Sequence, residues 1–296
     1  MHSTEGRHLH HLEKIVAFVA LAAMLALGIG FAQAKGPAKD ADALFLRSSV
    51  ALVQDVASGE TLYAKNLHAA VPIASITKLM TALVILQHKL DLAQRVVISD
   101  EDYDTLKGTR SRLRPGAAFT RDKLMLLALM SSENRAAAAL GRTFPGGTPA
   151  FVAAMNEKAR ALGMSDSRFV DASGLSPGNV SSAKDLARLI EAAHRHPMIR
   201  EYSTRESATV SMLGRELGYR NTNGLVRSVN WEIGLSKTGY ISEAGRCLVM
   251  HVRVASRELI VVLLDSWGKQ SRIGDANRIR KWLEHHAAKV PAGRRG

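Results

Sequence analysis

The chain has 296 residues, of which 46% are hydrophobic, and a formal net charge of +13, so it can form one large domain, or two closely packed ones, with an ample core. The single cysteine, Cys247, excludes an intrachain disulfide, and the apolar run around it predicts a buried structural thiol. The positive charge predicts an anionic partner, which would be either a wall polymer or the lipid head groups of a membrane with which the protein associates peripherally. Nucleic acid is excluded as a partner, because the sequence has no RNA- or DNA-binding motif.

The N-terminal segment has the composition of an export signal. Residues 1–14 are polar and partly basic, residues 15–31 are apolar or glycine, and Ala32-Gln-Ala34 is a small-x-small cleavage site. This pattern predicts a secretory signal peptide over residues 1–34, cleaved after Ala34, and therefore an exported, periplasmic protein. An uncleaved membrane anchor stays open, because the apolar run is close to the shortest that spans a bilayer.

The remaining chain is predicted to hold a linker over residues 35–45, one folded domain over 46–286 and a basic tail over 287–296. Strands are predicted at 49–54, 61–64, 209–213, 217–221, 247–254 and 258–265. Helices are predicted from Ser75 onward and at 121–130, 134–142, 149–162, 183–194 and 273–286. Strands, then helices, then strands and a helix indicate a mixed α/β body split by an all-helical insert at about residues 90–195.

The segment Ser75-Ile-Thr-Lys78 opens an apolar stretch with a helix period, and Pro72 sets the helix start near Ser75. A spacing of three puts Ser75 and Lys78 one turn apart on a face that Ala82 shares, so we expect that face to be buried. A serine hydroxyl becomes a nucleophile when a base takes its proton, and a lysine can be that base if burial lowers its pKa. An N-cap serine followed by a surface lysine would give the same pattern.

Two further motifs follow in order. Ser132-Glu133-Asn134 comes after an apolar run, and Lys237-Thr238-Gly239 precedes a strand-like run. Taken alone, the first motif could be a helix cap and the second a strand-entry turn. Ser-x-x-Lys, Ser-x-Asn and Lys-Thr-Gly in this order are the motif set of serine β-lactamases and penicillin-binding proteins, which makes the trio a specific signal.

Over about residues 46–283, the sequence resembles the low-molecular-mass penicillin-binding proteins of the D-alanyl-D-alanine carboxypeptidase/endopeptidase family. Beyond the trio, the stretches at 169–176, 221–225 and 237–240 are similar to that family. The resemblance implies a β-lactamase/DD-peptidase-like mixed α/β fold, with a five-stranded antiparallel sheet flanked by helices beside an all-helical subdomain. It places the site between the two and makes residues 46–286 a catalytic domain.

By this resemblance, Ser75 is the acylated nucleophile, Lys78 is its general base and Ser132 passes the proton to the leaving amine. The backbone N–H groups of Ser75 and Tyr240 form the oxyanion hole. Acyl transfer requires such a set of nucleophile, base, proton relay and oxyanion donors.

The resemblance also assigns substrate-binding residues. Asn134 holds the peptide carbonyl of the substrate, and Lys237, Thr238 and Gly239 form the binding edge of the sheet. Lys237 adds a second cation that attracts anionic substrate and keeps the pKa of Lys78 low. Arg272 binds the free α-carboxylate next to the scissile bond, since a carboxylate favours a bidentate guanidinium.

Two alternatives to Arg272 stay open. Lys269 could take the same carboxylate, and Arg272 could instead neutralise surface charge near Asp275. A further basic stripe, Arg110, Arg112 and Arg114, alternates along the chain, so in an extended loop these arginines would face one way. They form either a solvated surface or a basic rim that attracts anionic substrate.

Metal and cofactor binding are not expected. The histidine pairs His194/His196 and His285/His286 lie at helix ends, where they face the helix dipole or solvent, and no His-Glu-x-x-His motif is present.

The resemblance implies a serine DD-peptidase that acts on peptidoglycan stem peptides and is inhibited covalently by β-lactam antibiotics. Glu133, where carboxypeptidases often carry glycine, and the short C-terminal part favour the endopeptidase branch, which cleaves D-alanyl cross-links. The alternative is a D-alanyl-D-alanine carboxypeptidase that trims pentapeptides. A β-lactamase and a non-catalytic wall-binding module are less favoured, because no water-activating Glu-x-x-x-Asn loop is present and a binding module does not need Lys78 and Ser132 together.

Overall fold

The computed structural model describes residues 44–289, and a compact unit begins at Leu44. The predicted signal peptide, residues 35–43 of the predicted linker and residues 290–296 of the predicted tail lie outside this range. The proposed division of the chain therefore stays a prediction, although the last helix continues to Lys289, into the segment that we expect to be the tail.

Helices and short strand pairs fill the middle of the chain. The α-helices of the described region are α1 (Thr77–Gln87), α2 (Arg121–Met130), α3 (Asn134–Arg142), α4 (Gly147–Ala161), α5 (Ala183–His194), α6 (Pro197–Thr204) and α7 (Ser271–Lys289). None of these helices is both long and apolar enough to span a bilayer.

The strands form one large sheet and three small pairs. They are β1 (Ser48–Asp55), β2 (Thr61–Lys65), β3 (Val71–Pro72), β4 (Arg95–Val97), β5 (Ala118–Thr120), β6 (Val180–Ser181), β7 (Ser207–Met212), β8 (Arg215–Arg220), β9 (Glu232–Ile241), β10 (Gly245–Val254) and β11 (Arg257–Ser266). The large sheet has the order β2-β1-β11-β10-β9, and all its neighbours are antiparallel. This confirms the predicted five-stranded antiparallel sheet and leaves β9 as an edge strand.

The central strands are buried on both faces. Leu248 and Met250 of β10 pack with Ile279 and Leu283 of α7. Cys247 and Val249, which alternate with them along the strand, belong to the core on the opposite side of the sheet. Burial on both faces explains why these strands are nearly continuous apolar runs rather than alternating ones. It also confirms the buried thiol of Cys247, whose pKa is raised to about 11 by burial.

Helix α1 is the centre of the helical layer. Its residues from Thr77 to Ile85 are all buried, including the polar side chains of Thr77, Lys78 and Thr81. The predicted start of the helix is two residues too early, because Ser75 lies in a 3₁₀ turn, Ala74–Ile76, that precedes α1. The turn, rather than the helix, therefore presents the serine.

Three further features differ from the sequence prediction. The predicted all-helical insert contains the strand pair β4–β5, of which only a short extended piece at residues 96–98 is predicted, and strand β6, which pairs with β3 outside the insert. The short helix α6 was not predicted, because it has only two turns and begins with a proline at its first position, His196-Pro197. Strand β9 (Glu232–Ile241) was not among the strands that the pattern predicted, and it carries Lys237 on the sheet edge that the family resemblance implies.

Candidate active site

The Ser75 turn is held in an unusual conformation by its surroundings. Ala74 has φ of 48°, a left-handed value that costs a non-glycine residue energy. The hydroxyl of Thr77 donates to the Ala74 carbonyl at 2.8 Å. Gly174 crosses the turn so closely that a Cβ there would lie 2.0 Å from the Ala74 oxygen. Only glycine fits at this crossing, and the half-buried Ser75 side chain is left facing the site.

Lys78 lies directly beneath Ser75. Its Nζ lies 2.9 Å from Ser75 Oγ, 2.7 Å from Asn134 Oδ1 and 2.6 Å from the carbonyl oxygen of Ser173, and the residue is 1% exposed. Burial lowers its pKa to about 7, although the carboxylates of Asp171 and Glu133 oppose the shift. The expected burial of the Ser75–Lys78 helix face is therefore observed at Lys78.

The three contacts match a neutral amine. Two partners, the Asn134 amide oxygen and the Ser173 carbonyl, can only accept hydrogen bonds, whereas the Ser75 hydroxyl can also donate one. A neutral lysine has two N–H groups for the two acceptors and one lone pair for the hydroxyl proton. The geometry therefore suits proton transfer from Ser75 to Lys78.

The Ser173 carbonyl is positioned by a carboxylate that forms a tight turn. Asp171 Oδ1 accepts hydrogen bonds from the amides of Ser173 and Gly174, both at 2.6 Å, and from the Ser173 hydroxyl at 2.7 Å. Its Oδ2 accepts from the amide of Ser176 at 3.0 Å. With four donors on one side chain, the loop over Lys78 is fixed from within.

Ser132 and Lys237 form a second polar pair. Ser132 lies in the bend between α2 and α3 with φ of 59°, and Lys237 Nζ donates to its Oγ at 2.9 Å. Lys237 is 1% exposed, and its pKa is well below the ordinary value because of burial, with repulsion from Lys78 and Arg272 adding to it. Burial, rather than a second cation, is the main cause of the lowered pKa of Lys78, which corrects the role that we expected of Lys237 there.

Asn134 is the first residue of α3 and connects two parts of the site. Its Oδ1 accepts from Lys78, and its Nδ2 donates to the hydroxyl of Thr109 at 3.0 Å. Thr109 belongs to a long loop, residues 103–115, that forms the outer wall of the site. The amide is therefore held in a defined orientation.

Gly239 allows the edge strand to approach the serine turn. A Cβ at this position would lie 2.9 Å from the Ile73 oxygen and 3.1 Å from the amide nitrogen of Ser75, which is too close for any side chain. Its neighbour Thr238 shares a hydrogen bond of 2.6 Å with the hydroxyl of Thr222. The next residue, Tyr240, is 57% exposed. The backbone of β9 therefore runs directly beside Ser75.

Arg272 reaches the same strand from the first turn of α7. Its Nη1 donates to the carbonyl of Gly239 at 2.8 Å and to that of Cys247 at 3.0 Å. Its Nε is buried with no hydrogen-bond partner, and no hydrogen bond among residues 44–289 engages Nη2. Asp275 instead bonds to Ser48 and Arg278, so Arg272 does not neutralise it. Lys269 is exposed, and no hydrogen bond or ion pair of the described residues engages its side chain.

A chain of contacts therefore joins all the predicted site residues. Lys78 contacts Ser75 and Asn134, Lys237 contacts Ser132, and β9 joins Lys237 to Gly239, which lies against Ser75 and accepts from Arg272. No role was predicted for Asp171, Ser173 or Thr222. The Asp-Ala-Ser-Gly run at 171–174 is a turn signature that could have indicated the first two, but nothing local indicates that the Ser173 carbonyl meets Lys78.

His194 lies at the end of α5 as expected, but its ring is packed against another histidine. His194 stacks on His251 with ring centroids 3.6 Å apart, so it is packed against the sheet rather than facing solvent. Between residues 44 and 289, no three His, Cys, Asp or Glu side chains cluster as a metal site would require.

The fold and the three connected motifs define a serine-dependent enzyme of the penicillin-binding class. A family model described as D-alanyl-D-alanine carboxypeptidase matches residues 37–268, so the chain belongs to this family of serine D-alanyl-D-alanine peptidases.

Known relatives lie in the same family. The chain is 47% identical over 241 residues to a D-alanyl-D-alanine endopeptidase of Pseudomonas aeruginosa, covering 81% of this chain and 78% of that protein. It is 42% identical, with the same coverage, to a D-alanyl-D-alanine endopeptidase of Escherichia coli. The solved structure of the Streptomyces K15 DD-transpeptidase superposes with a TM-score of 0.75 at 26% identity, covering 81% of this chain and 98% of that chain.

Proposed function

We propose that this protein is an exported serine endopeptidase that cleaves D-alanyl cross-links in peptidoglycan through an acyl-enzyme on Ser75, and that β-lactams acylate the same serine. The observation that carries the proposal is the Lys78 amine, which is buried, bonded to two acceptors and 2.9 Å from the Ser75 hydroxyl. Family membership and the two endopeptidase relatives support the choice of substrate. The N-terminal sequence supports export to the periplasm.

Acylation begins with the Ser75 hydroxyl. As its Oγ attacks the carbonyl carbon of the D-alanyl bond, its proton passes to Lys78 Nζ. The Ser75 turn and the strand at Gly239–Tyr240 lie side by side, so their backbone N–H groups are suited to stabilise the oxyanion. Collapse of the tetrahedral intermediate breaks the C–N bond, and the proton reaches the leaving amine through Ser132, which Lys237 holds in place.

Hydrolysis of the ester returns the enzyme. Water attacks the acyl carbon, its proton goes to Lys78, and the Ser75 oxygen regains a proton as it leaves.

Arg272 supplies the cation for the free α-carboxylate on the leaving side of the bond, because its Nη2 is unengaged while Nη1 is anchored to β9. The basic surface adds attraction for an anionic wall polymer.

A second candidate is trimming of terminal D-alanine, because the family description itself names carboxypeptidases. Both reactions use the same acyl-enzyme and differ in the leaving group. The purified protein should be incubated separately with a cross-linked muropeptide dimer and with a pentapeptide monomer, and the products separated. Consumption of the dimer supports the proposal, and consumption of the monomer alone would assign the protein to the carboxypeptidases. Ser75→Ala controls for contaminating activity.

A further inference from the structure

A basic cleft lies beside the active site, between the 103–115 loop and the hairpin β7–β8. A cavity of about 490 Å³ is lined there by Arg112, Arg114 and Arg215, among others. A second cavity of about 660 Å³ is lined by Arg110 and Arg114, among others. Ser111 and Arg114 line both cavities, so the two adjoin, and we call them together the arginine cleft.

Two arginines give the wall of this cleft its shape. Arg112 lies over the ring of Tyr219, 3.8 Å from its centroid, and donates to the carbonyl of Gly218 at 2.8 Å. Arg135 lies over the ring of Tyr103 at 3.8 Å and donates to the carbonyl of Leu113. The loop is thereby fixed to the hairpin on one side and to α3 on the other. Arg112 is a structural residue rather than a free cation.

The other arginines of the cleft are free. Arg110, Arg114 and Arg215 are exposed, and within residues 44–289 no hydrogen bond, ion pair or ring contact engages their side chains. Arginine keeps its charge in any environment and binds carboxylates through a planar fork. Three such groups around one cleft are therefore available to an anionic ligand.

The lining of the cleft holds more arginines than carboxylates. Among the described residues, Asp104 is the one carboxylate that lines either cavity, and its charge offsets one of the five arginines that line them, Arg110, Arg112, Arg114, Arg135 and Arg215. On β8, Arg215 lines the cleft, and because side chains alternate along a strand, Glu216 points to the opposite face of the hairpin. The cleft therefore keeps a positive charge.

Both walls of the arginine cleft continue into the active site. On the loop side, Thr109 accepts from Asn134 Nδ2 at 3.0 Å. On the hairpin side, Thr222 follows the end of β8, and its hydroxyl bonds to that of Thr238 at 2.6 Å. A polymer lying in the cleft would thus lead directly to the two motifs that flank Ser75.

We propose that Arg110, Arg114 and Arg215 form a subsite that binds carboxylates of the peptide-bearing wall polymer beyond the scissile cross-link. The inference rests on the proposed function and adds to it the part of the substrate outside the reacting bond. Several carboxylates spaced along a polymer fit several separate guanidinium groups better than a single small anion does. The continuity of a concave cleft with the site favours this ligand over a lipid surface.

The test compares two double variants that remove the same charge. Arg114→Gln/Arg215→Gln removes two free cations of the cleft, and Arg160→Gln/Arg195→Gln removes two exposed arginines of α4 and of the α5 end. Both are made in the parent and in a Ser75→Ala background. We expect the cleft variant to cleave intact cross-linked wall sacculi about tenfold more slowly, with a weaker dependence on salt, as two partly exposed charge contacts imply. Its acylation by a fluorescent penicillin should remain within about twofold of the parent, since the small ligand does not reach the cleft.

Binding without catalysis separates this inference from the proposed function. In the Ser75→Ala background, the cleft variant should co-sediment with sacculi less than the control variant does. Equal co-sedimentation of the two variants would overturn the inference, whether or not the parent cleaves cross-links. A loss of binding to vesicles with anionic head groups, with binding to sacculi unchanged, would overturn it in favour of a lipid surface. If the parent cleaves neither sacculi nor dimers, the proposed function fails while the sedimentation result still decides the subsite.

Discussion

The two lysines of the active site and the three free arginines of the cleft are basic side chains in opposite environments. Lys78 and Lys237 are each 1% exposed, and burial lowers both their pKa values. Arg110, Arg114 and Arg215 are exposed and unengaged within the described residues. A buried lysine can lose its proton and act as a base, whereas an exposed arginine stays charged and can only bind. On the proposed function, the basic groups that do chemistry are therefore separate from those that hold substrate.

Removing the buried amine should have the largest effect. Lys78→Met keeps a side chain of similar length but leaves Ser75 without a base, so we expect acylation by a fluorescent penicillin to fall by about a thousandfold or more. Lys89→Met, just beyond the end of α1, is the matched control and should acylate as the parent does. A Lys78→Met protein that stays folded and acylates at the parent rate would show that another group activates Ser75.

The approach of the edge strand to the serine should matter almost as much. Gly239→Ala places a Cβ about 3 Å from the Ile73 oxygen and the Ser75 amide, so the strand must move away from the serine turn. Displacement of oxyanion donors by a fraction of an ångström should slow acylation by about a hundredfold. Gly218→Ala is the control, because a Cβ there meets nothing within 4 Å. Equal rates for both variants would exclude β9 from the oxyanion site.

These two cases show what the sequence could and could not predict. The family resemblance that the three motifs carry implied the five-stranded sheet, and Pro72 with the apolar period predicted the start of α1 to within two residues. The contacts around the Lys78 amine could not be predicted from the sequence. The Ser173 carbonyl comes from a loop 95 positions away, and the shape of that loop depends on Asp171. Tertiary contacts of this kind leave no periodic signal. Arg112 was expected either on a solvated surface or in a basic rim, but Tyr219 and Gly218, distant in sequence, engage it.

Substitution of Arg272 tests whether its guanidinium binds the α-carboxylate of the substrate. Arg272→Ala should weaken transition-state binding by about 1.5–3 kcal/mol, the scale of a hydrogen bond between charged groups. The loss should nearly disappear on a substrate whose α-carboxylate is amidated, which a comparison of kcat/KM on the two peptides measures. Lys269→Ala should change neither value. Equal losses of kcat/KM for Arg272→Ala on both peptides would mean that this arginine supports β9 without binding the α-carboxylate.

The stacked pair His194–His251 extends the comparison to stability. Burial, with His194 next to it, lowers the pKa of His251 to about 4, below the value near 6.5 of an unfolded histidine. The folded state therefore binds fewer protons, so the stability from this group is complete above about pH 6.5 and is lost as the pH falls towards 4. Between pH 7 and 4.5, we expect a loss of about 2 kcal/mol in the free energy of unfolding that His251→Phe does not show. Parallel urea titrations of the two proteins at both pH values measure this difference, and an identical pH dependence would mean that His251 is not buried as a neutral ring.

The measurement that bears most directly on the account is the pH dependence of Ser75 acylation. If neutral Lys78 is the base, as we propose, the acylation rate with a fluorescent penicillin should rise with pH through an apparent pKa of about 7 and then reach a plateau. With two interacting lysines in the site, this apparent value belongs to the pair. A rate that continues to rise up to about pH 10, the range of an ordinary lysine, would contradict the claim that burial prepares Lys78 as the base.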